Sequence, residues 1–117
     1  MDTRTKIVPS FAAPQATTVI GYFDPMHAGH VRRLQEICAT AGSRISVIVA
    51  DPREPILPTQ ARAELVAALD CVAFVLPAGA YVETALANSG TVIDERMTDA
   101  ARSRTFAQHV LSRHNTK

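Results

Sequence analysis

The chain has 117 residues, 47% hydrophobic and 20% charged, and its 12 basic and 11 acidic side chains leave a formal net charge of +1. A chain of this length buries roughly 65% of the surface its unfolded form exposes, enough for one core without a metal or disulfide and too little for two. The near-neutral charge excludes the basic footprint of non-specific nucleic-acid binding and the acidic excess of a disordered tail, and no apolar run reaches the ~20 residues that span a bilayer.

In chain order, basic residues precede Ile7-Val8 and Phe11-Ala12-Ala13, but Pro9 and Pro14 interrupt that stretch before a signal-peptide core develops. Residues 1–16 therefore read as an N-terminal extension to one domain over residues 17–117, with the cytoplasm as the expected compartment and no membrane or nucleic-acid partner. Thr17-Thr18-Val19-Ile20, β-branched and ending at Gly21, reads as a buried strand. From His30 to Ala41, Val31, Leu34, Cys38 and Ala41 recur at helical spacing, and Gly42 supplies a C-terminal stop. Ile45 to Ala50 is a second apolar strand closed by Asp51-Pro52. Thr59 is the expected N-cap of a helix through Leu69 whose inner face carries Leu65, Val66 and Leu69.

Cys71 to Leu76 forms a third strand stopped at Pro77, followed by a short helix over Tyr81–Ala87 and a fourth strand at Thr91-Val92-Ile93. A last helix covers Thr98 to His114. Cys38 and Cys71 each lie in an apolar run and read as small buried hydrophobes. Near-continuously apolar strands alternating with helices predict an α/β fold: a Rossmann-like parallel sheet with helices on both faces. Its ligand crevice belongs outside the carboxyl ends of the strands, where strand order reverses.

Gly21-Tyr22-Phe23-Asp24-Pro25-Met26-His27-Ala28-Gly29-His30 runs from the end of the first strand into the first turn of the first helix. Gly21 permits a close backbone approach. Gly29 and His30 begin the helix, where unpaired N–H groups and the positive end of the dipole favour phosphate. His27 and His30 fall on neighbouring positions at that entrance and can donate together to phosphate oxygens. A histidine pair also suits a metal, but no third ligand stands at a suitable spacing, and Asp24 reads as a residue that holds the turn. A dinucleotide loop is disfavoured because the Gly-x-Gly-x-x-Gly spacing is missing.

The stretch Gly21 to His30 resembles the Gly-x-Phe-Asp-x-x-His-x-Gly-His signature of the cytidylyltransferase-like nucleotidyltransferases, which include glycerol-3-phosphate cytidylyltransferase and the adenylyltransferase domain of heptose-phosphate enzymes. Pro58 to Leu69 and Cys71 to Val75 are similar to the helix and strand that follow in those branches. The resemblance covers Thr17 to Pro77. It implies transfer of a nucleoside monophosphate from CTP or ATP to a phosphorylated small molecule such as a sugar or polyol phosphate, with Mg²⁺, release of pyrophosphate, and a homodimeric protein. In the family the signature histidines hold the nucleotide phosphates and stabilise the transition state, a role carried over here to His27 and His30.

By the same resemblance Gly21, Tyr22, Phe23, Asp24 and Gly29 sit against the nucleotide. Arg62 matches a basic residue on the second helix that reaches the site, so the expectation is an exposed arginine aimed at the phosphates. The C-terminal half is shorter than the family pattern and lacks its Gly-rich turn. Ser103 and Thr105 are the nearest counterparts of the hydroxyl motif that opens the family's last helix, and an ordinary polar helix surface is the competing reading for both. Asp94-Glu95-Arg96 stands where part of the missing loop would be. Two further function classes stay open: a nucleotide-binding or assembly module of the same fold without turnover, and a domain completed by a partner chain.

Overall fold

The computed structural model describes residues 2–11, 15–79 and 89–97. Four parallel strands form one sheet: β1 (Gln15–Gly21), β2 (Ile45–Ala50), β3 (Val72–Gly79) and β4 (Ser89–Asp94), in the spatial order β3-β2-β1-β4. Helices α1 (Ala28–Ala41) and α2 (Thr59–Ala67) connect β1 to β2 and β2 to β3. The expected helices at Tyr81–Ala87 and Thr98–His114, with Ser103 and Thr105, lie outside the described residues.

The apolar runs become strands because β2 is covered on both sides, with all six of its residues buried. Alternation along it sends Val47 and Val49 to one face and Ile48 and Ala50 to the other. Successive right-handed crossovers in one direction along a sheet place their helices on one side. Accordingly Leu34 and Ile37 of α1 join Ala63 and Val66 of α2 in a single cluster over Val19, Val47 and Val49. On the opposite face Phe11 joins Ile20, Ile48 and Leu76, with Val8 packed alongside, so among the described residues an N-terminal segment rather than a helix covers that side.

That segment is built onto the sheet edge. A 3₁₀ turn over Thr3–Lys6 precedes a parallel bridge between Ile7 and Val75, and the Val8 N–H donates to the Val75 carbonyl at 2.9 Å. The pairing shields the outer edge of β3, and Lys6 Nζ donates to the Leu69 carbonyl just beyond α2 at 3.0 Å.

Two helix faces differ from expectation. The buried side of α1 is His30, Leu34 and Ile37, whereas Ala41 is exposed, because the first turn draws His30 inward. The buried side of α2 is Arg62, Ala63, Val66 and Ala67, leaving Leu65 43% exposed. Small Ala63 and Ala67 allow close approach to the sheet, and a buried arginine sets the rotation. Cys38 and Cys71 are free, half-buried thiols at the rim of the core, where burial pushes the Cys71 thiol up. No described helix is long and apolar enough to cross a membrane.

Candidate functional site

Strand order turns at β1: the first two crossovers step outward to β2 and β3, and β4 returns to pair on the other side of β1. The carboxyl ends of β1 and β4 therefore border the crevice expected of such a sheet. The Glu95 N–H donates to the Ile20 carbonyl at 2.8 Å, which carries this contact past the end of β4. Gly21, buried opposite Val49, ends β1 at this rim.

The turn into α1 is held by its two histidines. His27 is the N-cap, with extended backbone, and its Nδ1 accepts the Gly29 N–H at 3.1 Å. His30, the third helical residue, answers by accepting the His27 N–H on its own Nδ1 at 3.1 Å. This is the reciprocal arrangement of a capping box, made here by two imidazoles in place of the usual hydroxyl and carboxamide or carboxylate. The rings lie with centroids 3.9 Å apart at a 40° tilt. An imidazole whose Nδ1 accepts a backbone N–H carries its proton on Nε2, so this network assigns both rings the same tautomer.

Gly29 is required by this geometry: a Cβ there would stand 2.9 Å from Cε1 and 3.1 Å from Nδ1 of His27. The helix entrance thus combines the positive dipole end with two hydrogen-bearing Nε2 atoms.

The preceding loop is fastened to its neighbour. Buried Asp24 accepts the Ile56 N–H at 2.6 Å and the Leu57 N–H at 2.8 Å, joining the β1–α1 loop to the β2–α2 loop. Phe23 is buried with φ of +50°, a left-handed value uncommon for a residue with a side chain, and its ring meets His30 edge-on at 5.5 Å. Tyr22 is half-buried beside it.

Arg62 is placed otherwise than expected. It is wholly buried, and its five N–H groups meet the carbonyls of Leu57, Tyr22 and Ala50, the Asp51 carboxylate and the Thr59 hydroxyl. The reason is that the carbonyls at the ends of β1 and β2 need donors once buried, and a planar five-donor fork serves several at once. The Thr59 hydroxyl at 2.6 Å and the Arg62 guanidinium hold the Asp51 carboxyl below its ordinary range, against the opposing pull of partial burial.

Sequence reasoning picked out Asp94-Glu95-Arg96 at the end of β4 but missed the pairing of Glu95 with Arg33 of α1. Arg33 Nε, one turn after His30, meets Glu95 Oε1 at 2.6 Å, with the Glu95 side chain only 13% exposed. Arg96 pairs with Asp94 at 2.7 Å, a contact that depresses the Asp94 carboxyl and raises the guanidinium. Only the basic residue at one-turn spacing from His30 hinted at the first pair. Among the described residues no three His, Cys, Asp or Glu side chains gather at a point suited to a metal ion.

A parallel sheet whose strand order turns beside a histidine-capped helix entrance defines a Rossmann-like class of protein, and the comparison with known families agrees: the chain belongs to the cytidylyltransferase-like family, whose model matches residues 18–110. The chain is also similar to a protein named FAD synthase from Halorhabdus utahensis, with 46% identity over 66 residues. That match covers 48% of this chain and 44% of the relative, so the chain spans less than half the length of the curated relative it matches.

Proposed function

We propose that this protein transfers a nucleoside monophosphate from CTP or ATP to a phosphorylated small molecule, releasing pyrophosphate. The observation that carries the reading is the two-histidine box at the entrance of α1, set at the carboxyl end of β1 where strand order turns, in a chain of the cytidylyltransferase-like family. In-line displacement at the α-phosphate concentrates negative charge and asks of the protein chiefly positioning and preorganised donors. His27 and His30 supply those donors through Nε2, and the positive end of the α1 dipole favours the phosphates in the ground state. Gly21, Tyr22 and Phe23 form the wall beside the nucleotide, and buried Asp24 fastens that wall to the β2–α2 loop.

Magnesium belongs to the substrate in this reading. It prefers phosphate oxygens and retained waters to an all-protein cage, and Mg·NTP is the species that enters. The similarity to FAD synthase favours ATP as the donor and a flavin mononucleotide as the first acceptor to test, because FAD is an adenylylated flavin phosphate.

The test is pyrophosphate release from ATP and CTP with Mg²⁺, using flavin mononucleotide and sugar or polyol phosphates as acceptors, for the wild type and His30→Ala. Wild-type turnover with a loss of about 10²–10³ in the variant, while NTP binding persists, supports the proposal. Tight NTP binding without turnover on any acceptor makes the protein a nucleotide-binding module. Absence of nucleotide binding removes both.

A further inference from the structure

The loop that carries the histidines is gripped on both sides of one strained residue. Arg62 Nη1 donates to the Tyr22 carbonyl at 3.0 Å, and the Asp24 carboxylate takes the Ile56 and Leu57 N–H groups. Between these two anchors lies Phe23, at φ of +50° with its ring edge against His30. The anchors are themselves connected, because Arg62 Nε donates to the Leu57 carbonyl at 3.0 Å while the N–H of the same residue is bound by Asp24.

We infer that Asp24 and Arg62 are paired positioning residues: through Leu57 they form a buried polar bracket that holds Phe23 in its left-handed conformation and so fixes the ring of His30, and through it the ring of His27. A non-glycine residue holds such a conformation only where its surroundings over-determine it. Here a hydrogen bond on each side does so, and neither bracket residue needs to touch the nucleotide. Asp24 and Arg62 are both buried, at 6% and 0% exposure, and their polar groups are turned onto protein partners. This departs from the role that family resemblance assigns to the arginine. The histidine pair is then set by a link between two loops, and any change in the Asp51–Pro58 loop reaches His30 through the Leu57 peptide.

The bracket's effect on turnover rests on the nucleotidyl-transfer reading, whereas its effect on the rings does not, and the experiment separates the two. Asp24→Asn is nearly isosteric and keeps one acceptor oxygen; Arg62→Lys keeps the charge and loses the fork. Long-range ¹H–¹⁵N spectra of the imidazoles are recorded on folded wild type and Asp24→Asn, with melting curves and pyrophosphate-release kinetics in parallel. In wild type both rings show the Nε2–H tautomer. In Asp24→Asn the His30 and His27 nitrogen signals move toward those of an unconstrained imidazole, and kcat falls about 100-fold, as expected for roughly 1 Å of misplacement, with a smaller change in KM for the NTP. Arg62→Lys reproduces the ring shifts if it folds, and the Asn variant decides the matter if it does not. A folded Asp24→Asn protein whose ring signals match wild type overturns the bracket, whatever its melting temperature. A wild type with the expected ring signals and no turnover on any acceptor overturns the nucleotidyl-transfer reading alone.

Discussion

His27 and His30 cap the same helix by exchange: each Nδ1 accepts a backbone N–H from the other's turn, at 3.1 Å to Gly29 and 3.1 Å to His27. The two rings that the proposed chemistry uses are therefore also part of the structure that presents them. Capping and chemistry can be separated because they use different nitrogens.

Asparagine caps helices well but carries no Nε2 donor. His27→Asn should keep the melting temperature close to wild type, whereas His27→Ala should lose about 0.5–2 kcal/mol of stability. Both should lose most pyrophosphate release. Thermal melts beside turnover assays check this, and an active His27→Asn protein would confine His27 to capping.

Gly29→Ala is expected to separate stability from function by a different route. Alanine favours a helix over glycine by up to ~1 kcal/mol, yet its Cβ would stand 2.9 Å from the His27 ring. The ring must move, so NTP affinity and turnover should drop while the melting temperature changes by a few degrees at most. Unaltered NTP affinity by calorimetry would show that the ring yields without consequence.

Arg62→Ala should be severely destabilising, by about 3–5 kcal/mol, since it strands the Leu57, Tyr22 and Ala50 carbonyls and leaves Asp51 with Thr59 alone of its two partners named above. For a domain near this size that corresponds to more than ~12 °C in Tm, read by calorimetry. An exposed phosphate-binding arginine would leave the free protein's Tm nearly unchanged, so the measurement separates the two placements directly.

Asp51 and Asp94 give the acid limb of stability a defined sign. Thr59 with Arg62, and Arg96, lower these carboxyls in the folded chain, so each contributes stability that is full above the unfolded carboxylate value and is lost as pH falls through the lower folded value. The Asp51 side chain is 41% exposed, which limits its contribution to about 1 kcal/mol or less. Denaturant midpoints should hold from neutral pH to roughly 4 as far as these groups are concerned and fall below it. In Asp51→Asn that fall should be shallower, and an identical acid limb would remove Asp51 from the account.

The α/β class and the core runs were legible because strand and helix periods are local properties. Expected Ile45–Ala50 is β2 itself, Thr17–Ile20 is the centre of β1 (Gln15–Gly21), and Thr91–Ile93 is the centre of β4 (Ser89–Asp94). The histidine signature was legible for the same reason, as one contiguous segment whose strand, loop and helix signals agree. Local pattern did not tell which side of a short helix faces inward: Leu65 reads as core by hydrophobicity, but Arg62 takes the interior because the ends of β1 and β2 present carbonyls that only a distant donor can satisfy. Asp24 read correctly as a residue that holds the turn, yet its partners Ile56 and Leu57 are brought to it by the sheet order, as Glu95 is brought to Arg33. Which segments become strands, and which carries the histidine turn, depends on neighbours along the chain and is written there; which charges are buried and what they fasten depends on separate strands ending side by side, because burial and hydrogen-bond demand arise only there.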